Sequence, residues 1–244
     1  SFHTGKAAAN GVLAALLAEN GFDSSDEIIE GKRGFARIYS TDADPGALTA
    51  GLGTRWEIMS NGYKPYACGV VLHPLIDAMI ALATKTDVPA AAIQSVTLRV
   101  HPHAVKITGI DDPKTGLQSK FSINHAAAVA YIDRTAGIQQ FANQRTTAPE
   151  ILALRGKVSV STEASFRKDE ATASIVTASG ATYDVHVPHA SGTVDNPMSD
   201  GALETKFLGN ATPVIGEARA RVVLKLAWTL DDLADVRDIT AATA

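Results

Sequence analysis

The chain has 244 residues, 45% of them hydrophobic, and its 22 Lys and Arg against 26 Asp and Glu leave a formal net charge of −4. That is enough apolar material for a sizeable core in one or two domains. Charge spread this evenly points away from nucleic acid and from polybasic attachment to a membrane. The single cysteine cannot close an internal disulfide, no apolar run reaches the roughly 20 residues that cross a bilayer, and no basic-then-apolar leader is visible; a reducing, cytoplasmic setting is therefore expected.

Residues 4–20 read as a buried or nearly buried helix. Ala7, Ala8, Ala9 and Gly11 are small enough for another helix to approach, Leu13, Leu16 and Leu17 follow, and Gly21 suits a left-handed C-terminal cap. The chain enters this helix without a starting methionine, so a fragment is expected. "SSDEIIEGKRGFARIYS" predicts two short helices broken at glycine. Residues 41–62 are rich in turn formers and predict loop, with one strand around Trp56.

Residues 70–84 predict a second helix through Leu72, Leu75, Ile76, Met79, Ile80 and Leu82. Over 93–103, Val96, Leu98 and Val100 alternate with Thr97, Arg99 and His101, the period of a half-buried strand. A third helix is predicted over 121–142 and a strand over 157–162. "ATASIVTASGATYDVHVP" reads as two strands joined at Ser179-Gly180. "NPMSDGALETKF" predicts a helix capped by Ser199, and 214–235 a closing helix. Runs of one element type argue for an α+β fold: an antiparallel or mixed sheet of about four strands with packed helices, flanked by helices of an all-α domain.

Several side chains invite chemistry. In "NGYKPYACGVVLHPLIDAMIALA", Pro74 favours a first helical turn, which puts His73 at or near a helix N-terminus. The partial positive charge there disfavours imidazolium and leaves a neutral ring able to accept a proton. Asp77, one turn on, is placed to orient that ring. A packed, unreactive histidine is the alternative reading. Cys68 reads as a small buried hydrophobe. His101 and His103 flank Pro102 at a strand end with no third ligand at a telling spacing, and read as a solvent-facing pair rather than a metal site. Lys120, Ser122, Asn124 and His125 precede a small-residue helix, whose free N–H groups attract carboxylates; an ordinary capped helix is the alternative. The same argument applies more weakly to His3, Gly5 and Lys6. "GLGTRW" lacks the spacing of a phosphate loop, and no zinc or iron–sulfur spacing occurs.

Taken together, "FHTGKAAANGVLAALLAENGF", "KPYACGVVLHPLIDA", "KFSINHAAAVA" and "NPMSDGALETKF" resemble the MmgE/PrpD family in order and spacing. That family includes 2-methylcitrate dehydratase, cis-aconitate decarboxylase and iminodisuccinate epimerase. The resemblance implies the C-terminal half of a protein about twice this length: residues 1–57 end a helical domain, 58–195 form an α+β lid, and 196–244 return to the helical domain. It implies a cytoplasmic, cofactor-independent lyase without metal, a homodimer when full length, most like the 2-methylcitrate dehydratase of propionate catabolism. Epimerase, decarboxylase and non-catalytic lid fragment stand as alternatives. Its substrate would be a small carboxylic acid, deprotonated next to a carboxylate. By the same resemblance His73 is a proton-transfer residue, Lys64 helps position it, and Lys120 and Ser122 match the family's "KFS". Many members carry a tyrosine just after that motif, where this chain has Asn124 and His125. Lys6 is the candidate for a lysine that some members carry near "H.G.AA", unless its equivalent precedes Ser1.

Overall fold

The computed structural model describes residues 2–243, and the chain divides into two compact units, Ser1–Met59 and Ser60–Ala244. The first unit contains helix α1 (Phe2–Glu19), helix α2 (Phe35–Tyr39) and a short 3-10 turn at Pro45–Leu48, whose first free N–H, that of Gly46, is capped by the Asp44 carboxylate. α1 closes at Gly21, which takes the left-handed φ of 83° expected of a cap. Three expectations fail in this unit. No residue of α1 is buried, and Val12, Leu13, Leu16 and Leu17 stand exposed; small residues prepare a close approach without supplying a neighbour. Trp56 leads into a 3-10 turn at Glu57–Ser60 rather than lying on a strand. Residues 26–33 form turns rather than a helix.

The second unit is built on helix α3 (His73–Thr86), strand β1 (Ile93–Val100), helices α4 (Pro102–Thr108), α5 (Gly116–Ser119), α6 (Ile123–Asp133), α7 (Asn143–Thr146) and α8 (Pro149–Arg155), strands β2 (Val158–Thr162), β3 (Ala171–Thr177) and β4 (Thr182–Val187), and helices α9 (Asp200–Ile215), α10 (Glu217–Trp228) and α11 (Arg237–Ala241). The four strands form one mixed sheet in the order β2-β1-β3-β4. β1 runs parallel to β2 and antiparallel to β3, and β4 closes the predicted hairpin on β3 with Gly180 at φ 84°. The fold is α+β, as the element runs imply.

The alternation in β1 works as read: Ile93, Val96, Leu98 and Val100 are buried while Thr97 and Arg99 face out. α3 packs against β3, β4 and α6, and α6 also packs against α8 and β2. α6 can approach α3 closely because Ala126, Ala127, Ala128 and Ala130 line it, all buried. The strand predicted to reach residue 103 stops at Val100. Pro102, fixed near helical φ, starts α4, and the His101 Nδ1 accepts the His103 N–H at 3.0 Å. The histidine pair therefore caps a helix instead of lining a strand edge. The helix predicted over 121–142 ends at Asp133, followed by Arg134 in the left-handed region. The closing helix predicted from 214 is interrupted at Gly216, φ 80°, between α9 and α10.

The segment leading to α3 is tied down by backbone bonds. The Tyr63 N–H donates to the Gly192 carbonyl at 2.7 Å, and the Gly192 N–H donates to that of Asn196 at 2.8 Å. Gly192 has φ 84°, and a Cβ there would stand 1.9 Å from the Tyr63 carbonyl oxygen. Replacing Gly192 with Ala should therefore destabilise the unit by about 1–3 kcal/mol, from the positive φ and the clash together. It should also speed hydrogen exchange at the Tyr63 amide. An unchanged denaturation midpoint and unchanged protection of that amide would show that the 60–65 segment is held by other contacts.

Candidate functional site

α3 owes its position to its apolar side chains. Leu72 at its N-cap, and Leu75, Ile76, Ala78, Met79 and Leu82 along it, are fully or almost fully buried, so the helix lies inside the unit from its first residue. Pro74 sits in its first turn, and His73 precedes it as the first helical residue. The imidazole is therefore carried into the interior, where it is 1% exposed. Its Nε2 has no hydrogen-bond partner, a rarity among buried polar atoms. Loss of hydration pushes its pKa down to about 4, with the ammonium groups of Lys64 and Lys206 adding to the shift and the Cys68 backbone opposing it. The ring is neutral near pH 7.

Tyr66 meets the His73 ring edge-on, with centroids 5.3 Å apart. Asp77 does not orient His73 directly. Its carboxylate accepts the Tyr66 hydroxyl and, at 2.7 Å, the Ser191 N–H. Asp77 thus fixes Tyr66, and through Tyr66 the side of the ring that Tyr66 covers. Burial raises the Tyr66 phenol and the Asp77 carboxyl above their ordinary values.

A cleft of about 1180 Å³ opens beside this group. Its wall includes Lys64, Tyr66, Cys68, Lys120, Gln140 and Lys206. His73 is not part of that wall but is packed against Tyr66, which is. Three elements bring the cations together. The Lys64–Gly69 segment is stitched in place by the Gly69 N–H donating to the Lys120 carbonyl at 3.3 Å and the Ala67 N–H to the Ala136 carbonyl at 3.0 Å. These bonds set Lys64 and Lys120 on one cleft. α9 supplies Lys206, on a helix whose N-terminus is capped by Ser199 as expected. Among the described residues no Asp or Glu lines the cleft, and none of the three lysines is in an ion pair. A low-dielectric concavity with one sign of charge attracts small anions.

Of the other sequence candidates, Cys68 lies on the cleft wall, and Ser122, Asn124 and His125 lie off it. The Ser122 hydroxyl is fully buried and accepts the His125 N–H at 3.2 Å as the N-cap of α6. His125 is 0% exposed; its Nε2 meets the Gln140 carbonyl at 2.8 Å, its Nδ1 is unpartnered, and burial lowers its pKa. Asn124 is half-buried on α6. None of these three is on the cleft wall. Lys6 is exposed on α1 of the first unit. Cys68 is buried, with its thiol pushed up to about 12 by desolvation, and so stays protonated.

Lys206 escaped the residue-by-residue reading although it lies in "NPMSDGALETKF". The signal was present. Gly201, Thr205 and Gly209, and likewise Ala202, Lys206 and Asn210, recur every four residues, the mark of one helix face. Tyr66 was missed because nothing in sequence links it to Asp77.

For a metal, Asp169, His189 and Asp195 each offer a donor atom within 4.8 Å of the others. Arg167 already bridges both carboxylates, at 3.1 Å to Asp169 and 3.3 Å to Asp195, and so offsets one of their two negative charges within the chain. No described helix is long and apolar enough to cross a membrane.

The fold and cleft define an α+β chain that sets a lysine-lined, acid-free cleft against a buried neutral imidazole. Residues 66–232 match the MmgE/PrpD C-terminal domain and residues 1–48 the MmgE/PrpD N-terminal domain. The chain belongs to the MmgE/PrpD family. It is similar to the cis-aconitate decarboxylase of Homo sapiens, 23% identical over 249 residues, 98% of this chain and 51% of that protein. It is also similar to the cis-aconitate decarboxylase of Aspergillus terreus, 25% identical over 255 residues, 95% of this chain and 52% of that protein. The chain spans about half the length of these curated relatives.

The burial of His73 has a consequence for stability. An unfolded histidine takes its proton near 6.5, whereas His73 in the folded chain resists until about 4. Between those values the unfolded state binds a proton that the native state refuses, so stability falls as pH drops, by about 3 kcal/mol from this residue. His125 acts in the same direction, and Asp77, with its raised carboxyl, in the opposite one. The denaturant midpoint should fall between about pH 7 and about pH 4.5, and His73→Gln should flatten that slope. The same slope in His73→Gln and the unsubstituted chain would show that His73 does not titrate this way.

Proposed function

We propose that the protein containing this chain is a lyase acting on a small tricarboxylic acid, with Lys64 and Lys120 binding carboxylates and His73, packed behind Tyr66 of the cleft wall, serving the proton transfer at a carbon next to one of them. The observation that carries this reading is a cleft walled by unpaired lysines, without a carboxylate among its described residues, placed beside a buried neutral imidazole. Carbanion-like or enolate charge formed next to a carboxylate needs cationic or N–H donors held in place before the reaction, and the lysines supply them.

Cis-aconitate decarboxylation comes first among the reactions, because the relatives carry that name. In that reaction a proton is delivered to one carbon of the double bond. The electron pair of the breaking C–CO2 bond forms the new double bond, and CO2 leaves. Dehydration of 2-methylcitrate, the reaction to which the sequence motifs point first, and epimerisation of iminodisuccinate share the proton-transfer step and differ in the bond broken or remade afterwards. An imidazole with a pKa of about 4 is a weak base by itself. Substrate carboxylates entering the cleft would offset the lysine charge and raise that value toward neutrality. The substrate thereby prepares its own proton carrier.

The complete gene product should release CO2 from cis-aconitate in a screen that also includes 2-methylcitrate and iminodisuccinate. His73→Gln should lower turnover about a hundredfold or more with a near-native fold by circular dichroism. Turnover of none of the three acids would overturn the lyase reading. Undiminished turnover in His73→Gln would return that ring to a packing role.

A further inference from the structure

The reading above assigns no task to Lys206. Its helix turns one face to the cleft, through Gly201, Ala202, Thr205, Lys206, Gly209 and Asn210. All but Lys206 are small or short, so its ammonium is the one charge that this face delivers and it is not crowded by its neighbours. The acid nearest to it along α9, Glu204, is engaged elsewhere, accepting the Trp228 Nε1–H at 2.9 Å. The cleft therefore holds three cations from three elements: Lys64 from the segment before α3, Lys120 from the end of α5, and Lys206 from α9.

We propose that Lys206 is a specificity-determining residue, a third carboxylate anchor that makes the cleft prefer a small molecule with three carboxylates over one with two. This rests on the polyanion reading of the cleft and narrows it. Three like charges in one concavity repel each other, and an anion of matching charge relieves that repulsion most fully. A two-carboxylate ligand leaves one ammonium without a partner.

Lys206 also reaches past the cleft wall electrically. The charged and titratable groups facing His73 are Lys64, Tyr66 and Cys68 from the preceding segment and Lys206 from α9, while Asp77 on its own helix is committed to Tyr66 and Ser191. A carboxylate seated on Lys206 therefore removes one of the two cations that press against protonation of His73.

Calorimetric titration of the complete gene product tests the assignment, using propane-1,2,3-tricarboxylate and glutarate, the same carbon chain without the central carboxylate. Lys206→Gln should weaken the tricarboxylate by about tenfold or more, the size of a lost charge-assisted hydrogen bond. It should weaken glutarate by less than about threefold, and Lys206→Arg should keep most of the tricarboxylate affinity. Lys206 is partly exposed on a helix surface, so matching circular dichroism spectra will establish that both variants fold. Equal losses for the two ligands, or no loss for either, would overturn the role of Lys206 while leaving the polyanion reading standing. Failure of the unsubstituted complete gene product to bind either ligand would overturn both.

Discussion

Everything distinctive about this chain depends on how deeply α3 is buried. Five large side chains, Leu72 at its N-cap and Leu75, Ile76, Met79 and Leu82 within it, leave water almost completely. At about 2 kcal/mol each, their burial contributes roughly 10 kcal/mol. Leaving one histidine nitrogen without a partner costs about 1–3 kcal/mol. The first quantity exceeds the second, so the helix goes in and takes His73 with it. The orphaned Nε2 is therefore a by-product that the packing can sustain. The same burial removes the hydration that would stabilise an imidazolium, and the helix N-terminus adds a partial positive charge in the same sense.

The alanine run of α6 and the hydrogen bonds around residues 60–69 complete the arrangement. Ala126, Ala127, Ala128 and Ala130 let α6 close on α3, while the Gly69 and Ala67 N–H groups hold the preceding segment against the chain at Lys120 and Ala136. That segment contributes both a cleft lysine, Lys64, and the ring that covers His73, Tyr66. Site and core thus share one stretch of backbone. A disturbance at Gly192 would reach the cleft through Tyr63 as well as the fold.

Features written in local pattern were legible in the sequence. The alternation of β1, the hairpin at Ser179-Gly180, the Ser199 cap and the helix start at His73-Pro74 all depend on residues close in sequence, and all appear. Features that depend on distant partners were not. The spacing of His73 and Asp77 suggested a pair, but Tyr66 and Ser191 reach Asp77 first. Ser122 and His125 suggested a pocket, but the folded chain uses the hydroxyl as a cap and packs the ring against Phe141. Apolarity suggested that α1 is buried, yet burial needs a neighbour as well as a composition. Lys206 was legible in principle, since its four-residue spacing from Ala202 and Asn210 marks a helix face, but sequence alone does not say which face meets a cleft.

The cleft and the imidazole are coupled through charge rather than contact, and that coupling is reciprocal. Whatever factor an anion in the cleft adds to the proton affinity of His73, a proton on His73 must add to the affinity for the anion. With the cleft empty, a pKa of about 4 leaves roughly one ring in a thousand protonated at neutral pH. Each carboxylate that settles on Lys64 or Lys206 cancels part of the field that keeps the proton away, while desolvation, the larger cause, remains. An anion in the cleft therefore cannot by itself bring the ring to the proton affinity of an exposed histidine; it moves it part of the way. An arrangement of this kind keeps the imidazole neutral while the cleft is empty and raises its proton affinity when an anion is bound.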